Sequence, residues 1–124
     1  MSLSDFELEV MQIIWESDES TAPQVHEIIQ SRRNVKYTTV KTIIDRLEKK
    51  GSLKRSRTEG RTIFYIPTTE KQSVRTPLIK EFIRKVFLGK SRPLAAHILE
   101  QEDLSIEDIE YLEALLDERK KGLK

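Results

Sequence analysis

The sequence predicts a mainly α-helical protein in which three helices and a basic β-hairpin are followed by a separate set of helices. Three observations predict it. Apolar residues recur at helical spacing between Phe6 and Ile14, Val25 and Ile29, and Val40 and Leu47. Two short runs rich in alternating apolar and long side chains flank Glu59-Gly60. Beyond Pro67, Thr76-Pro77, Ser91-Arg92-Pro93 and Ser105 divide the remainder into further amphipathic stretches. A length of 124 residues suits one domain or two small modules and excludes a large enzyme scaffold. With 37% hydrophobic and 35% charged residues the core is thin, so oligomerisation is expected to help stabilise it.

Helix one is expected from about Asp5 to Glu16. Ser4-Asp5-Phe6-Glu7 has the S-x-x-E form of a capping box, and Phe6, Val10, Ile13 and Ile14 follow on one stripe. After the polar stretch Ser17 to Ser20, Thr21-Ala22-Pro23-Gln24 combines a second box with a proline in the first turn, where its missing N–H costs nothing. Val25, Ile28 and Ile29 form the buried stripe of helix two. Helix three is expected to begin at Thr38 or Thr39 and to stop at Gly51. Its core stripe is Val40, Ile43, Ile44 and Leu47, which leaves Thr38, Thr42, Asp45 and Lys49 outward, flanked by Thr39, Lys41 and Arg46. Threonine is a poor helix former, so three threonines near one exposed helix start suit hydroxyls that meet phosphates or base edges.

Leu53 to Thr58 and Thr62 to Pro67 read as the two strands of the hairpin, with Ile63 and Tyr65 on one face and Phe64 and Ile66 on the other. Charge is segregated along this order. Residues 1–31 hold seven acids and no Lys or Arg, whereas residues 32–61 hold eleven Lys and Arg against three acids, inside a chain of net charge +1. A solvated basic face is the bland reading of that block. It does not explain why both the outer face of helix three and the hairpin are basic while helix one is acidic. The order and the charge together predict a winged helix-turn-helix, with helix three entering the major groove of duplex DNA and the hairpin lying along the backbone. Thr38, Thr39, Lys41, Thr42, Asp45, Arg46 and Lys49 are the candidate recognition-helix contacts. Arg32, Arg33, Lys36, Lys54, Arg55, Arg57 and Arg61 are the candidate wing and backbone contacts.

In the second half, Thr69-Glu70-Lys71-Gln72 is expected to cap a short helical turn, and Thr76-Pro77 to start a new helix ending at Gly89. A short helix over Leu94 to Leu99 and a last one opened by Ser105-Ile106-Glu107-Asp108 follow. Leu78, Ile79, Phe82, Ile83, Val86, Phe87, Leu94, Ile98, Ile109, Leu112 and Leu116 are too many apolar side chains for three short helices to cover. They are expected to form a homodimer interface, which would also present two copies of helix three to an inverted repeat. The expected division is therefore a DNA-binding domain over 1–68 and a helical dimerisation domain over 69–124.

The chemistry of enzymes finds no foothold. No cysteine is present, which removes disulfides, thiolate nucleophiles and thiolate metal sites. His26 and His97 are the only histidines and lie in no H-E-x-x-H, G-x-S-x-G or P-loop setting, and Glu107, Asp108, Glu110 and Glu113 fit a solvated helix face. No enzyme activity, cofactor or metal is expected. No apolar run reaches a membrane span, the acidic start is unlike a signal peptide, and the cytoplasm is the expected location with no membrane insertion. The rival binding role is a winged helix that serves as a protein-interaction adaptor, its basic face docking on an acidic partner.

Leu3-Ser4-Asp5-Phe6-Glu7-Leu8-Glu9-Val10-Met11 with Ile14-Trp15, and the stretch from Tyr37-Thr38-Thr39-Val40-Lys41-Thr42 through Asp45-Arg46-Leu47-Glu48-Lys49-Lys50-Gly51, resemble the BlaI/MecI/CopY family of penicillinase-type repressors. Gly60-Arg61 with Tyr65 and Pro67, and the tail Glu102-Asp103-Leu104-Ser105, are similar to the same family, so the resemblance covers nearly the whole chain. It implies a homodimeric winged-helix transcriptional repressor on inverted-repeat operators, with Thr38, Thr39, Lys41, Thr42 and Arg46 in the recognition helix and Arg61 in the wing. Two departures matter. The copper-responsive branch carries a cysteine metal hook that this chain lacks. The β-lactam-responsive branch is cut by a partner membrane protease at an Asn-Phe bond where this chain has His97-Ile98. Pro77 also falls where the family's fourth helix is usually continuous. The target gene and the inducing signal are not written in the sequence.

Overall fold

The computed structural model describes residues 3–101 and 103–123, so Glu102 of the tail quoted above lies outside them. The elements run α1 (Asp5–Ser17), β1 (Ser20–Thr21), α2 (Ala22–Gln30), α3 (Tyr37–Lys50), β2 (Leu53–Glu59), β3 (Thr62–Pro67), α4 (Lys71–Phe87), α5 (Ser91–Gln101) and α6 (Ile106–Leu123). The chain divides into two compact units, Met1–Pro77 and Leu78–Lys124. Residues 69–77 thus sit with the first unit.

The first unit is a winged helix. Both expected capping boxes form: Ser4 Oγ accepts from Glu7 N while Glu7 Oε1 accepts from Ser4 N, and Thr21 and Gln24 repeat the exchange at α2. Helix α3 ends as its glycine dictates. Gly51 takes a left-handed φ of 86°, and Ser52 N closes back onto Leu47 O at 2.9 Å. The core gathers Val10, Met11, Ile13 and Ile14 of α1, Val25 and Ile29 of α2, Val40, Ile43, Ile44 and Leu47 of α3, and Leu53 and Tyr65 of the sheet. Phe6, Trp15, Val35 and Ile63 pack against it from the rim. The whole predicted stripe of α3 is buried, because four apolar side chains within one third of the helix circumference leave no other face for the core.

The sheet is three-stranded in the order β1-β3-β2, with Ser20 opposite Tyr65 and Thr21 opposite Phe64. Strand β1 was not expected, since the stretch ending at Ser20 reads only as a polar connection. Its two residues are held by pairing with β3 and are buried. Strands β2 and β3 pair antiparallel from Leu53↔Pro67 to Glu59↔Thr62, with one irregularity: Arg55 faces Tyr65, yet Arg57 faces Phe64. Ser56 is the extra residue of a β-bulge.

Four expectations are corrected. Helix α3 begins at Tyr37, ahead of Thr38 and Thr39, with Lys36 as an N-cap that makes no side-chain bond. Ile28 does not join the core, because the nine residues of α2 bury only a narrow stripe and leave Ile28 37% exposed. The short turn at Thr69 and the fresh start at Thr76-Pro77 are replaced by a single helix, α4, with Pro77 inside it. Its beginning is tied to α1: Trp15 Nε1 donates to Thr69 O at 2.9 Å and Arg75 Nη2 to Gln12 Oε1 at 3.3 Å. Those anchors hold the first turns, and the helix carries the loss of the bond that Pro77 cannot donate to Ser73 O. Finally, α5 is longer than Leu94–Leu99, since Pro93 lies in its first turn, where proline is tolerated.

The second unit has a different character. Helix α4 ends where Leu88 and Gly89 both take left-handed φ, and α6 opens with Ser105 and Asp108 exchanging cap hydrogen bonds at 3.0 and 3.1 Å. Phe87 stands between Phe82 and His97, edge-on to both at 5.9 and 6.3 Å. Among the described residues no side chain of α4 or α6 is buried. Ile83, Phe87, Leu94 and Leu112 are half-buried, whereas Leu78, Ile79, Phe82, Val86, Ile98, Ile109 and Leu116 are exposed. No helix among the described residues is long and apolar enough to cross a membrane.

Candidate nucleic-acid interface

Thr38, Thr39, Thr42, Asp45, Arg46 and Lys49 are all exposed on α3, and Lys41 is half-buried beside them. The face opposite the core therefore carries only short hydroxyls and charged groups over three turns. Two of these side chains are already engaged within the helix. Thr42 Oγ1 donates to Thr38 O at 2.9 Å, so its hydroxyl meets an incoming ligand as an acceptor unless it rotates. Lys41 Nζ donates to Asp45 Oδ1 at 2.5 Å, a pair one helical turn apart that raises the pKa of the lysine above its ordinary value. Asp45 thus orients Lys41, and not Arg46 or Lys49.

Loop and wing position the other candidates. The loop before α3 is braced by Gln30, whose Oε1 accepts from Val35 N at 3.0 Å, and by His26, whose Nε2 donates to Val35 O at 2.7 Å. Since a carbonyl only accepts, that contact places the proton on Nε2. The His26 ring also meets Tyr37 edge-on at 5.7 Å, so this histidine, which lies in no catalytic motif, supports the first residue of α3. Within the same loop, Arg32 and Arg33 both reach Glu9 of α1, at 3.5 and 2.7 Å, and Arg33 lies 4.7 Å over the Phe6 ring.

In the wing the bulge at Ser56 sends two arginines to opposite faces. Arg55 shares the face of Tyr65 and makes a two-pronged contact with Glu48 of α3, at 2.9 and 3.4 Å, which raises its pKa. Arg57 shares the face of Phe64, stacks 3.7 Å over that ring, and bonds both Glu59 and Glu19. Glu19 accepts from Arg57 and from Ser56 Oγ, and both contacts hold its pKa below the usual carboxylate value. Lys50, at the end of α3, donates to the buried Glu7 at 2.7 Å.

Six of the eleven cations between residues 32 and 61 are thus neutralised by carboxylates of this chain: Arg32, Arg33, Lys41, Lys50, Arg55 and Arg57. Among the described residues no ion pair reaches the other five, Lys36, Arg46, Lys49, Lys54 and Arg61. Sequence reasoning grouped all of these side chains together. The long-range partners that separate them, such as Glu19 for Arg57, carry no local signal. Lys36 stands at the start of α3, Arg46 and Lys49 lie on its outer face, and Lys54 and Arg61 belong to the hairpin. Between α3 and the hairpin lies a cavity of about 130 Å³ whose lining includes Tyr37, Lys41, Arg61 and Tyr65. Among the described residues no group of acidic or histidine side chains is arranged to hold a metal ion.

Comparison with known proteins matches residues 3–118 to the sequence profile described as penicillinase repressor. The methicillin resistance regulatory protein MecI of Mammaliicoccus sciuri is 34% identical over 117 residues, covering 94% of each chain. The penicillinase repressor of Bacillus licheniformis is 30% identical over 122 residues, covering 98% of this chain and 94% of the relative. The solution structure of the DNA binding domain of the repressor BlaI is 32% identical, with a TM-score of 0.51 over 57% of this chain and 90% of that one.

Proposed function

Since the chain belongs to the penicillinase repressor family and is a DNA-binding transcriptional repressor, we propose that it acts as a cytoplasmic homodimer on an inverted-repeat operator and excludes polymerase until a signal releases it. Helix α3 enters the major groove. Thr38, Thr39, Thr42 and Arg46 meet base edges there, and Lys36, Lys49, Lys54 and Arg61 neutralise phosphates. The observation that carries this assignment is the exposed outer face of α3, free of bulky apolar groups and flanked by cations that no carboxylate among the described residues pairs with. Arg32, Arg33, Arg55 and Arg57 have a different part: they hold α1, α3 and the wing in their relative positions. The action is binding alone, with no catalytic step.

The second unit supplies the dimer contact. Leu78, Ile79, Phe82 and Val86 along α4, Ile98 on α5, and Ile109 and Leu116 on α6 stay exposed in a single chain, more apolar surface than a small monomer usually leaves in water. Ile83, Phe87, Leu94 and Leu112 complete the apolar set. Cleavage by a sensor membrane protease would release the operator by dividing this unit at His97-Ile98, inside α5, and that helix must first unwind because proteases take extended chain.

Fluorescence anisotropy with a labelled inverted-repeat duplex and a scrambled control tests the reading. A preference of several hundredfold or more for the repeat, falling with salt, is expected of a dimeric repressor. Equal weak binding to both duplexes would instead favour a basic face that docks on an acidic protein.

A further inference from the structure

The cavity between α3 and the wing brings an unpaired hydroxyl close to Arg61, a cation with no ion pair among the described residues, and to the Asp45-paired Lys41. Tyr65 is only 1% exposed, and its hydroxyl is buried without a hydrogen-bond partner. A phenylalanine would fill the same place in the core without that oxygen. Leaving a buried hydroxyl unpaired is costly, so the position carries a group that packing does not require. The cavity that Tyr65 lines also has Lys41, Arg61 and Tyr37 in its wall, with Ala22 and Pro23 at the start of α2, and among the described residues no acidic side chain lines it. Arg61 has no ion pair among the described residues, and Lys41 gives Asp45 one of three ammonium donors. A volume of about 130 Å³ corresponds to roughly four water molecules in the liquid. That is room for one tetrahedral oxyanion.

We propose that this cavity seats a single phosphate-type oxyanion, with the Tyr65 hydroxyl and the remaining Lys41 N–H groups as donors and Arg61 as the countercharge. The inference rests on the DNA-binding reading for its principal source, a backbone phosphate of the operator duplex; free inorganic phosphate is the other source of the same chemistry. Tyr65 is fixed by its sheet partners Ser20 and Arg55, so a phosphate bonded to it is held at a set distance from α3. Contacts of this kind fix the register of a recognition helix without reading sequence.

The test uses the full chain and Tyr65→Phe, which keeps the ring and removes only the oxygen. One arm measures binding to the inverted-repeat and scrambled duplexes. The other titrates inorganic phosphate into the protein without DNA and follows the backbone amide NMR signals of Gly60, Arg61 and Lys41. Tyr65→Phe is expected to bind both duplexes about tenfold more weakly, with an unchanged ratio between them and no loss of thermal stability. That result supports a DNA phosphate as the occupant. Phosphate-dependent shifts in the wild type that vanish in Tyr65→Phe, with duplex binding unaltered, support the seat with a free anion in it. Unaltered duplex binding together with no phosphate response overturns the proposal, and the hydroxyl then serves a water molecule. A loss of duplex affinity that accompanies a fall in thermal stability also overturns it, because the oxygen would then be structural. Wild type that binds neither duplex sinks the DNA-binding reading, while the phosphate arm still decides the seat.

Discussion

The wing carries two arginines of the same chemistry and opposite circumstances, and replacing each by alanine separates free from committed charge. Arg61 makes no ion pair among the described residues, while Arg57 is bonded to Glu19 and Glu59 and stacked on Phe64. Each phosphate neutralised on duplex DNA contributes about 0.9 to the slope of log affinity against log salt. In a dimer, Arg61→Ala removes two such contacts, so the slope flattens by about 1.8. Between 50 and 200 mM salt the wild type should then lose about twelvefold more affinity than Arg61→Ala does. Arg57→Ala removes no phosphate contact, and its slope should stay within about half a unit of wild type. Its effect should appear in the thermal midpoint, because the bridge from the wing to Glu19 is gone. Anisotropy titrations at four salt concentrations, on cognate and scrambled duplexes, measure both slopes. Equal flattening by the two variants would refute the division of the basic block into free and neutralised cations.

Arg46→Ala should relax discrimination between cognate and scrambled duplexes by about 1–3 kcal/mol, and an unchanged ratio would remove Arg46 from the base-reading set. Phe82→Asp places a charge among the exposed apolar side chains of α4 and should give monomers by light scattering together with weak operator binding; persisting dimers would place the interface elsewhere. Glu7 sets an acid limit on stability. Burial raises its pKa, but hydrogen bonds from Lys50 and Ser4 more than offset this, and the net shift is downward. Its contribution is therefore complete above the unfolded value, about 4.3, and is lost as the pH falls through the lower folded value. The thermal midpoint should fall steeply with pH below about 4 in the wild type and less steeply in Glu7→Gln, and parallel curves would count against the Glu7–Lys50 pair.

What could be read from the sequence was what local chemistry determines. The capping boxes at Ser4 and Thr21 need only four residues each, and both formed. The stripe Val40, Ile43, Ile44 and Leu47 is fixed by helical periodicity and was buried in full. Where long-range partners decide, the reading failed or fell silent. Two residues, Ser20 and Thr21, hold no strand period, and only pairing with Tyr65 and Phe64 makes them β1. Pro77 was read as a helix start because that is its local preference, but Trp15 and Gln12 pin the preceding turns as helix. At the candidate interface the residue types were legible, and their availability was not. Glu48 meets Arg55 across seven positions and Glu19 meets Arg57 across thirty-eight, through the sheet.

The bulge at Ser56 makes this hairpin a two-sided device. Were Ser56 paired in regular register instead of bulged, Arg55 and Arg57, two residues apart, would point the same way, and both carboxylate partners could not be served at once. The extra residue gives one side of the ribbon a buttress against α3 and the other a tether to Glu19, so the hairpin is steadied from both sides before any DNA arrives. Its tip at Gly60-Arg61 lies beyond both attachments. Substitutions there can retune grip on the backbone while the angle between wing and helix is left alone, a separation that would let relatives diverge in affinity without rebuilding their scaffold.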